Sequence, residues 1–81
     1  MLSSVTTRGS SVSIVVDGED GQTYDISCFS LRSIDLHLIE KKKGIKNGGT
    51  AHFMDLTPES QYTFNLYPER RQLKRVIIYR V

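Results

Sequence analysis

The side chains that could do chemistry in this chain are two histidines, one cysteine and a short acidic run. His37 and His52 have no second ligand at a spacing typical of a metal site. Asp17, Glu19 and Asp20 miss the EF-hand spacing and have no distal bidentate glutamate. We therefore expect surface histidines and an ordinary polar turn, with no bound metal or cofactor.

The single cysteine, Cys28, alternates with Tyr24 and Ile26 in a run of period two. A nucleophilic thiol must be exposed and activated by a neighbouring base, whereas this alternation places Cys28 in the core. A chain with one cysteine also forms no internal disulfide. Because the sequence has no glycine-rich phosphate loop and no serine nucleophile elbow, we expect the protein not to be an enzyme.

Two groups of basic side chains are the remaining candidates for function, as partner-binding residues. They are Lys41, Lys42, Lys43 and Lys46, and then Arg70, Arg71, Lys74 and Arg75. Such groups attract phosphates or an acidic partner, but no aromatic residues are interleaved with them for base stacking. Lysine on an edge strand or loop also discourages another sheet from adding to it. We rank a solvated face first, contact with a partner protein second and nucleic acid last.

Charge is divided unevenly along the chain, whose net charge is +2. Residues 1–40 carry two Arg against six Asp/Glu, and residues 41–81 carry nine Lys/Arg against three. A basic second half would favour an acidic partner, unless folding interleaves the halves and mixes the signs.

The elements that must position these side chains are strands. Alanine occurs once, whereas Val, Ile and Thr together supply 19 residues, a bias that favours strands over helices. Several runs of period two, separated by turn signals, predict an all-β antiparallel sandwich or barrel. With 81 residues, we expect one domain over 11–81, and residues 1–10 as a flexible arm or an edge strand.

Six strands are predicted, and they cover residues 12–16, 24–28, 34–40, 50–56, 61–67 and 73–81. Asp-Gly pairs between the first two predict a hairpin. Residues 29–33 would be a connection, and the lysines from 41 onward would break the strand pattern. In the third strand, Ile34, Leu36 and Leu38 form one apolar face.

Residues 56–67, Leu-Thr-Pro-Glu-Ser-Gln-Tyr-Thr-Phe-Asn-Leu-Tyr, closely resemble the fibronectin type III segment Leu-x-Pro-x-x-x-Tyr-x-Φ-x-Φ. The matching positions are Leu56, Pro58, Tyr62, Phe64 and Leu66. The resemblance implies an antiparallel two-sheet β-sandwich of six or seven strands, fibronectin type III or immunoglobulin-like, in which this segment joins strands E and F. It also implies a tyrosine corner, with the Tyr62 ring in the core and its hydroxyl bonded to nearby backbone. In the family's lettering, 12–16 would be strand A, 24–28 B, 34–40 C and 74–81 G.

The expected function is that of a non-enzymatic structural or protein-binding module, because the fold carries no catalytic constellation. By fold analogy, such a small domain resembles accessory or decoration components of viral particles, including phage, which act through a protein partner or self-assembly. Two alternatives stay open: a small cytosolic inhibitor or adaptor, and a nucleic-acid-associated protein using the basic second half. The sequence has no secretory signal and no run near the roughly 20 apolar residues that cross a bilayer. We therefore expect cytoplasmic synthesis, with incorporation into a virion as the phage role requires, and no membrane contact.

Overall fold

The computed structural model describes residues 4–32, 35–68, 71–72 and 75–78. Within these ranges the chain forms β-strands and no helix, which confirms the all-β prediction for the described residues. The strands are β1 (Ser4–Arg8), β2 (Ser11–Val15), β3 (Thr23–Arg32), β4 (Asp35–Lys46), β5 (Thr50–Phe53), β6 (Ser60–Tyr67), β7 (Arg71–Gln72) and β8 (Val76–Ile78). Predictions that concern Ile34, Arg70, Lys74 and residues 79–81 of the last predicted strand lie outside the described residues.

The strands form two antiparallel sheets. The first sheet has the order β1-β2-β5 and the second the order β4-β3-β6-β7, with β8 also paired to β6. β7 pairs with the C-terminal part of β6 and β8 with its N-terminal part. Because β3 occupies the other side of β6, β7 and β8 follow one another along a single edge of the second sheet.

The inner faces of the two sheets share one apolar core, so the architecture is sandwich-like. The first sheet contributes Val12, Ile14, Ala51 and Phe53; the second contributes Tyr24, Ile26, Cys28, Tyr62, Phe64, Leu66, Val76 and Ile78; Val16 and Leu56 come from the connections. The rings of Phe53 and Phe64 meet across the interior with centroids 5.1 Å apart and planes tilted by 55°, a favourable arrangement for an aromatic pair.

The Asp-Gly pairs do not form a hairpin, so that prediction is wrong. β2 pairs with β1 and β5, whereas β3 pairs with β4 and β6. The apolar faces of β2 and β3 oppose each other across the core, and residues 16–22 cross from one sheet to the other. The hairpin partner of β2 is β1, joined through Gly9-Ser10. Gly9 has a φ of 59°, which glycine adopts without steric cost.

β3 and β4 are longer than predicted, because they pair with each other over nearly their whole length. The ladder runs from Thr23 opposite Lys46 to Arg32 opposite Asp35. β3 therefore includes most of the predicted connection at residues 29–33, and β4 continues through the lysines instead of ending before them. The ladder pairs one edge of the lysine run with β3, and the side chains of Lys41, Lys43 and Lys46 are exposed.

Leu36 and Leu38 of β4 do not face the core, whereas Ile45 near its end is half-buried and packs against it. Leu36 and Leu38 are 52% and 56% exposed and lie opposite Leu31 and Phe29, respectively. A register shift leaves Ile39 as an extra residue in β4 and reverses its alternation. As a result, His37 lies on the inner side in the first half of β4, opposite the buried Ser30, while the leucines lie on the outer side.

Both connections that enter the second sheet from the first are held by a buried tyrosine. The N–H of Thr57 donates to Tyr62 Oη at 2.9 Å, and the N–H of Glu19 donates to Tyr24 Oη at 2.9 Å. The first bond is the predicted contact of Tyr62 with nearby backbone. The second was not predicted, although it has the same spacing of five residues. Gly18 lies against the Tyr24 ring, where an added Cβ would come within 2.3 Å of the hydroxyl.

Candidate functional site

Two of the polar side chains singled out from the sequence, His52 and Asp20, have hydrogen-bond partners in the structure. Ser13 Oγ and His52 Nδ1 are hydrogen-bonded at 2.9 Å on adjacent strands of the first sheet, and both His37 and His52 are exposed. Among the residues that the structure describes, no three His, Cys, Asp or Glu side chains are grouped to hold a metal ion.

Cys28 lies in the core, as predicted, with no exposed surface. Burial, with a smaller contribution from the negative charge of Glu40, raises the pKa of its thiol to about 12. Because the thiolate is the nucleophilic form, this side chain is unreactive at neutral pH in the folded protein.

The acidic connection is tied to the turn that follows β4. Asn47 Nδ2 donates to Asp20 Oδ1 at 2.8 Å, and Asn47 Oδ1 accepts the Gly18 N–H at 2.9 Å. A cleft of about 390 Å³ lies between these segments and is lined by Asp20, Gly21, Gln22, Thr23, Lys46 and Asn47. These hydrogen bonds join the two loops at this end of the molecule.

The two basic groups lie at opposite edges of the second sheet. Lys41, Lys42, Lys43 and Lys46 belong to β4, Arg71 belongs to β7, and Arg75 is exposed just before β8; Arg70 and Lys74 are outside the described residues. The order β4-β3-β6-β7 separates the two edges by three strand spacings, or about 14 Å. The sheet therefore does not merge them into one basic surface.

The outer face of the second sheet carries an apolar patch that the sequence analysis missed. This outer patch consists of Phe29, Leu31, Leu36, Leu38 and Ile77. Leu36, Leu38 and Ile77 are 52%, 56% and 40% exposed, and the other two are half-buried.

Strand pairing brings the members of the outer patch together. Leu31 lies opposite Leu36 and Phe29 opposite Leu38, so these four form two adjacent cross-strand pairs. On the far side, Gln61 lies between Leu31 and Ile77. Directly opposed residues of an antiparallel pair share one face, and the buried apolar residues of β3 and β6 alternate with these positions. The two cross-strand pairs of β3 and β4 thus form a contiguous apolar surface, with Ile77 beyond Gln61. Such a surface is typical of a site of association.

Basic residues border the outer patch along β4. Lys41 lies opposite Ser27 on the same outer face as Phe29, and both Lys41 and Lys43 are exposed. Toward the interior, Lys42 Nζ pairs with Glu40 Oε2 at 2.9 Å. The arrangement fits a partner surface that is apolar where it meets the leucines and acidic where it meets the lysines.

A pattern in β3 could have revealed the outer patch. Even-numbered residues from Tyr24 to Cys28 fill the core, and the large apolar Phe29 and Leu31 then occupy the alternate positions. A strand with large apolar residues on both faces has a second face to cover. The other required information, the register shift in β4, has no local sequence signal.

No family model, curated protein or solved structure matches this chain. In the part of the chain that the structure describes, there is no helix with the length and apolar character needed to span a bilayer.

Proposed function

We propose that this chain is a fibronectin type III-like domain that acts as a non-enzymatic structural or protein-binding module through the outer patch. The observation that carries the proposal is the outer patch itself, because it places exposed apolar side chains on one sheet face. Association of such a surface with a protein partner would remove apolar area from water, the main driving force of most protein–protein contacts.

Strand order supports the family part of the proposal. In immunoglobulin-like sandwiches, A, B and E share one sheet, C, F and G form the other, and some members add a C′ strand beside C. With β1 as A, the order β1-β2-β5 matches A-B-E, and β4-β3-β6-β7 matches C′-C-F-G. The strands lettered A, B and C from the sequence then become B, C and C′, because the sequence lettering did not include β1.

The contact of Tyr62 with Thr57 is a second support. It lies at the start of β6, where a tyrosine corner at the E–F connection is expected. Leu56 is buried beside it and anchors the end of the preceding segment. The resemblance in sequence and this hydrogen bond concern the same residues, so they support one assignment together.

The setting that best suits such a module is an accessory or decoration component of a viral particle, including phage. A cytosolic inhibitor or adaptor would use the same kind of contact and is the alternative. Nucleic-acid binding is disfavoured because the basic groups lie at opposite edges of the second sheet.

The experiment compares the chain with two lysine variants in affinity isolation from its source cells or particles. Leu36→Lys/Leu38→Lys removes the centre of the outer patch, and Met54→Lys is the matched control, since Met54 is 68% exposed outside the patch. We expect one protein to be retained by the wild type and the control and lost with the double variant. Equal retention by all three would contradict the role of the outer patch.

Titration with generic duplex DNA tests the nucleic-acid alternative. We expect no binding at 50 mM salt. An affinity that falls by about 10³ or more between 50 and 200 mM salt would replace the proposed function with phosphate binding, because counterion release gives this dependence.

A further inference from the structure

β4 is a long strand with one uncovered edge. It spans 12 residues, Asp35–Lys46, and its ladder in the described residues is to β3 alone. The other edge strands in the described residues are shorter: β1 has 5 residues and is mostly polar, β5 has 4, and β7 and β8 have 2 and 3. An uncovered edge presents a row of backbone N–H and C=O groups that can pair with another strand.

The two halves of β4 carry opposite charge. Residues 35–40 have two acidic side chains and no Lys or Arg, whereas residues 41–46 have four Lys and no acid. The acidic half also holds the exposed apolar residues Leu36, Leu38 and Ile39, which are 52%, 56% and 51% exposed. The strand therefore has an acidic, apolar end and a basic end.

This charge arrangement is complementary to itself in one orientation. An antiparallel neighbour of the same sequence places its basic half against the acidic half and its acidic half against the basic half. A parallel neighbour places four lysines against four lysines, which is destabilising because like charges on opposed strands repel. Lysine thus discourages most strands from adding to this edge, but not an antiparallel copy of β4.

We propose that β4 pairs antiparallel with β4 of a second copy of this chain. The second sheet of each copy then joins that of the other into one continuous sheet about a two-fold axis. The proposal rests on the proposed contact function and identifies one partner as the chain itself. Such an interface is isologous, with the same strand contributed by both copies. The outer patches of both copies then lie on one extended sheet.

The register shifts of β4 limit the strength of the dimer. They fall at Ile39 and next to Gly44, and bulges interrupt a ladder locally. The new ladder is therefore formed in short stretches, and we expect half-association at about 10–100 μM, in the range of weak interfaces.

Sedimentation velocity of the full chain from about 5 to 500 μM is the first measurement, since this range brackets the expected association. At low salt we expect the mass to rise from monomer to dimer, with weaker association at 1 M salt because the charges of β4 are screened. A monomer over the whole range would overturn the proposal.

A charge swap locates the interface. Lys41→Glu/Lys43→Glu neutralises the basic half of β4, and Glu40→Lys neutralises the acidic half. Each variant alone should dimerise at least about tenfold more weakly, because the opposed charges are lost. An equimolar mixture should regain association, since the acidic half of the first variant again meets the four lysines of the second. Recovery in the mixture also shows that both variants are folded.

Arg75→Glu is the matched control, because Arg75 is an exposed basic residue at the opposite edge of the second sheet. It should leave dimerisation unchanged. If the β4 variants dimerise as the wild type does, or if Arg75→Glu alone abolishes the dimer, β4 pairing is wrong.

These outcomes are separable from those of the proposed function. A monomeric wild type that still retains a partner through the outer patch leaves the contact function standing and removes β4 pairing. A charge-dependent dimer without patch-dependent capture establishes β4 pairing and removes the outer patch as a site for another protein.

Discussion

The two buried tyrosines illustrate how far single residues could be predicted. Tyr62 was predicted because it belongs to a recognised segment, and the predicted contact of its hydroxyl with nearby backbone is confirmed. Tyr24 makes the same contact but stands in no such segment. Its hydroxyl could not be placed from alternation alone, since alternation gives the direction of a ring and not the partner of its polar atom.

Removing either hydroxyl should therefore destabilise the fold. Tyr24→Phe and Tyr62→Phe each leave a partly buried backbone N–H without its acceptor, and we expect a loss of about 1–2 kcal/mol in the free energy of unfolding. Tyr67→Phe is the control, because Tyr67 is 43% exposed and should change stability by less than about 0.5 kcal/mol. Urea denaturation measures all three. A negligible effect at both buried positions would mean that these bonds do not hold the connections.

The Cys28 thiol predicts a pH dependence of stability. Its pKa is raised from 9.0 to about 12 by burial and by Glu40, so above pH 9 the unfolded chain loses this proton and the folded chain keeps it. Stability is then lost as pH rises, by up to about 1.4 kcal/mol per pH unit between pH 9 and 12.

Cys28→Ala isolates this contribution from the other groups that titrate at high pH. Denaturation at pH 8, 9 and 10 should show a steeper decline for the wild type than for the variant. Parallel curves would contradict the burial of the thiol. Reaction with a disulfide reagent at pH 8 should likewise be slow until denaturant is added.

At the scale of the elements, the sequence predicted where strands lie better than how they pair. Asp-Gly pairs favour a turn, but the same residues suit a crossing between sheets, so the hairpin prediction failed. The prediction that Leu36 and Leu38 share one face of β4 is confirmed. Which side of the sheet that face occupies depends on the extra residue at Ile39, which is set by pairing with β3.

The reversed face of β4 has a measurable consequence. Leu36→Lys/Leu38→Lys should leave the free energy of unfolding within about 0.5 kcal/mol of the wild type, because both side chains are more than half exposed. The comparison is Ile14→Ala, a fully buried residue of β2, for which a loss of about 2–5 kcal/mol is expected. A comparable loss of stability in the double variant would show that Leu36 and Leu38 are buried in the core.

The connection between β2 and β3 requires glycine at position 18, because the Tyr24 ring lies against it. Gly18→Ala would place a Cβ 2.4 Å from the Tyr24 ring, and we expect a destabilisation of about 1–3 kcal/mol from overpacking. Combined with Tyr24→Phe, the two losses should be non-additive, since both act on one contact. If the two losses are strictly additive in thermal denaturation, Gly18 and Tyr24 do not act on the same contact.

For the whole molecule, composition and one recognised segment were enough to predict an all-β chain with two sheets. The sequence does not decide between an arm and an edge strand for β1, because Ser4–Arg8 is polar and a strand on a solvated edge has no strong pattern. Phe29 and Leu31 signal part of the outer patch, but Leu36 and Leu38 join it only through the register shift at Ile39. The uncovered edge of β4 follows from the strand order, which no local pattern gives. The site therefore depends on the topology more than on any motif.

The two tyrosine contacts also bear on how the sheets resist mechanical shear. Tyr24 and Tyr62 lie near opposite ends of the second sheet, because β3 and β6 are antiparallel and Tyr62 pairs with Ser30. Six residues of strand separate the two anchors, or about 20 Å. Each anchor holds a connection whose other end belongs to the first sheet. A slide along the strand direction stretches one connection while it slackens the other, so a single hydrogen bond at each end opposes displacement in both directions.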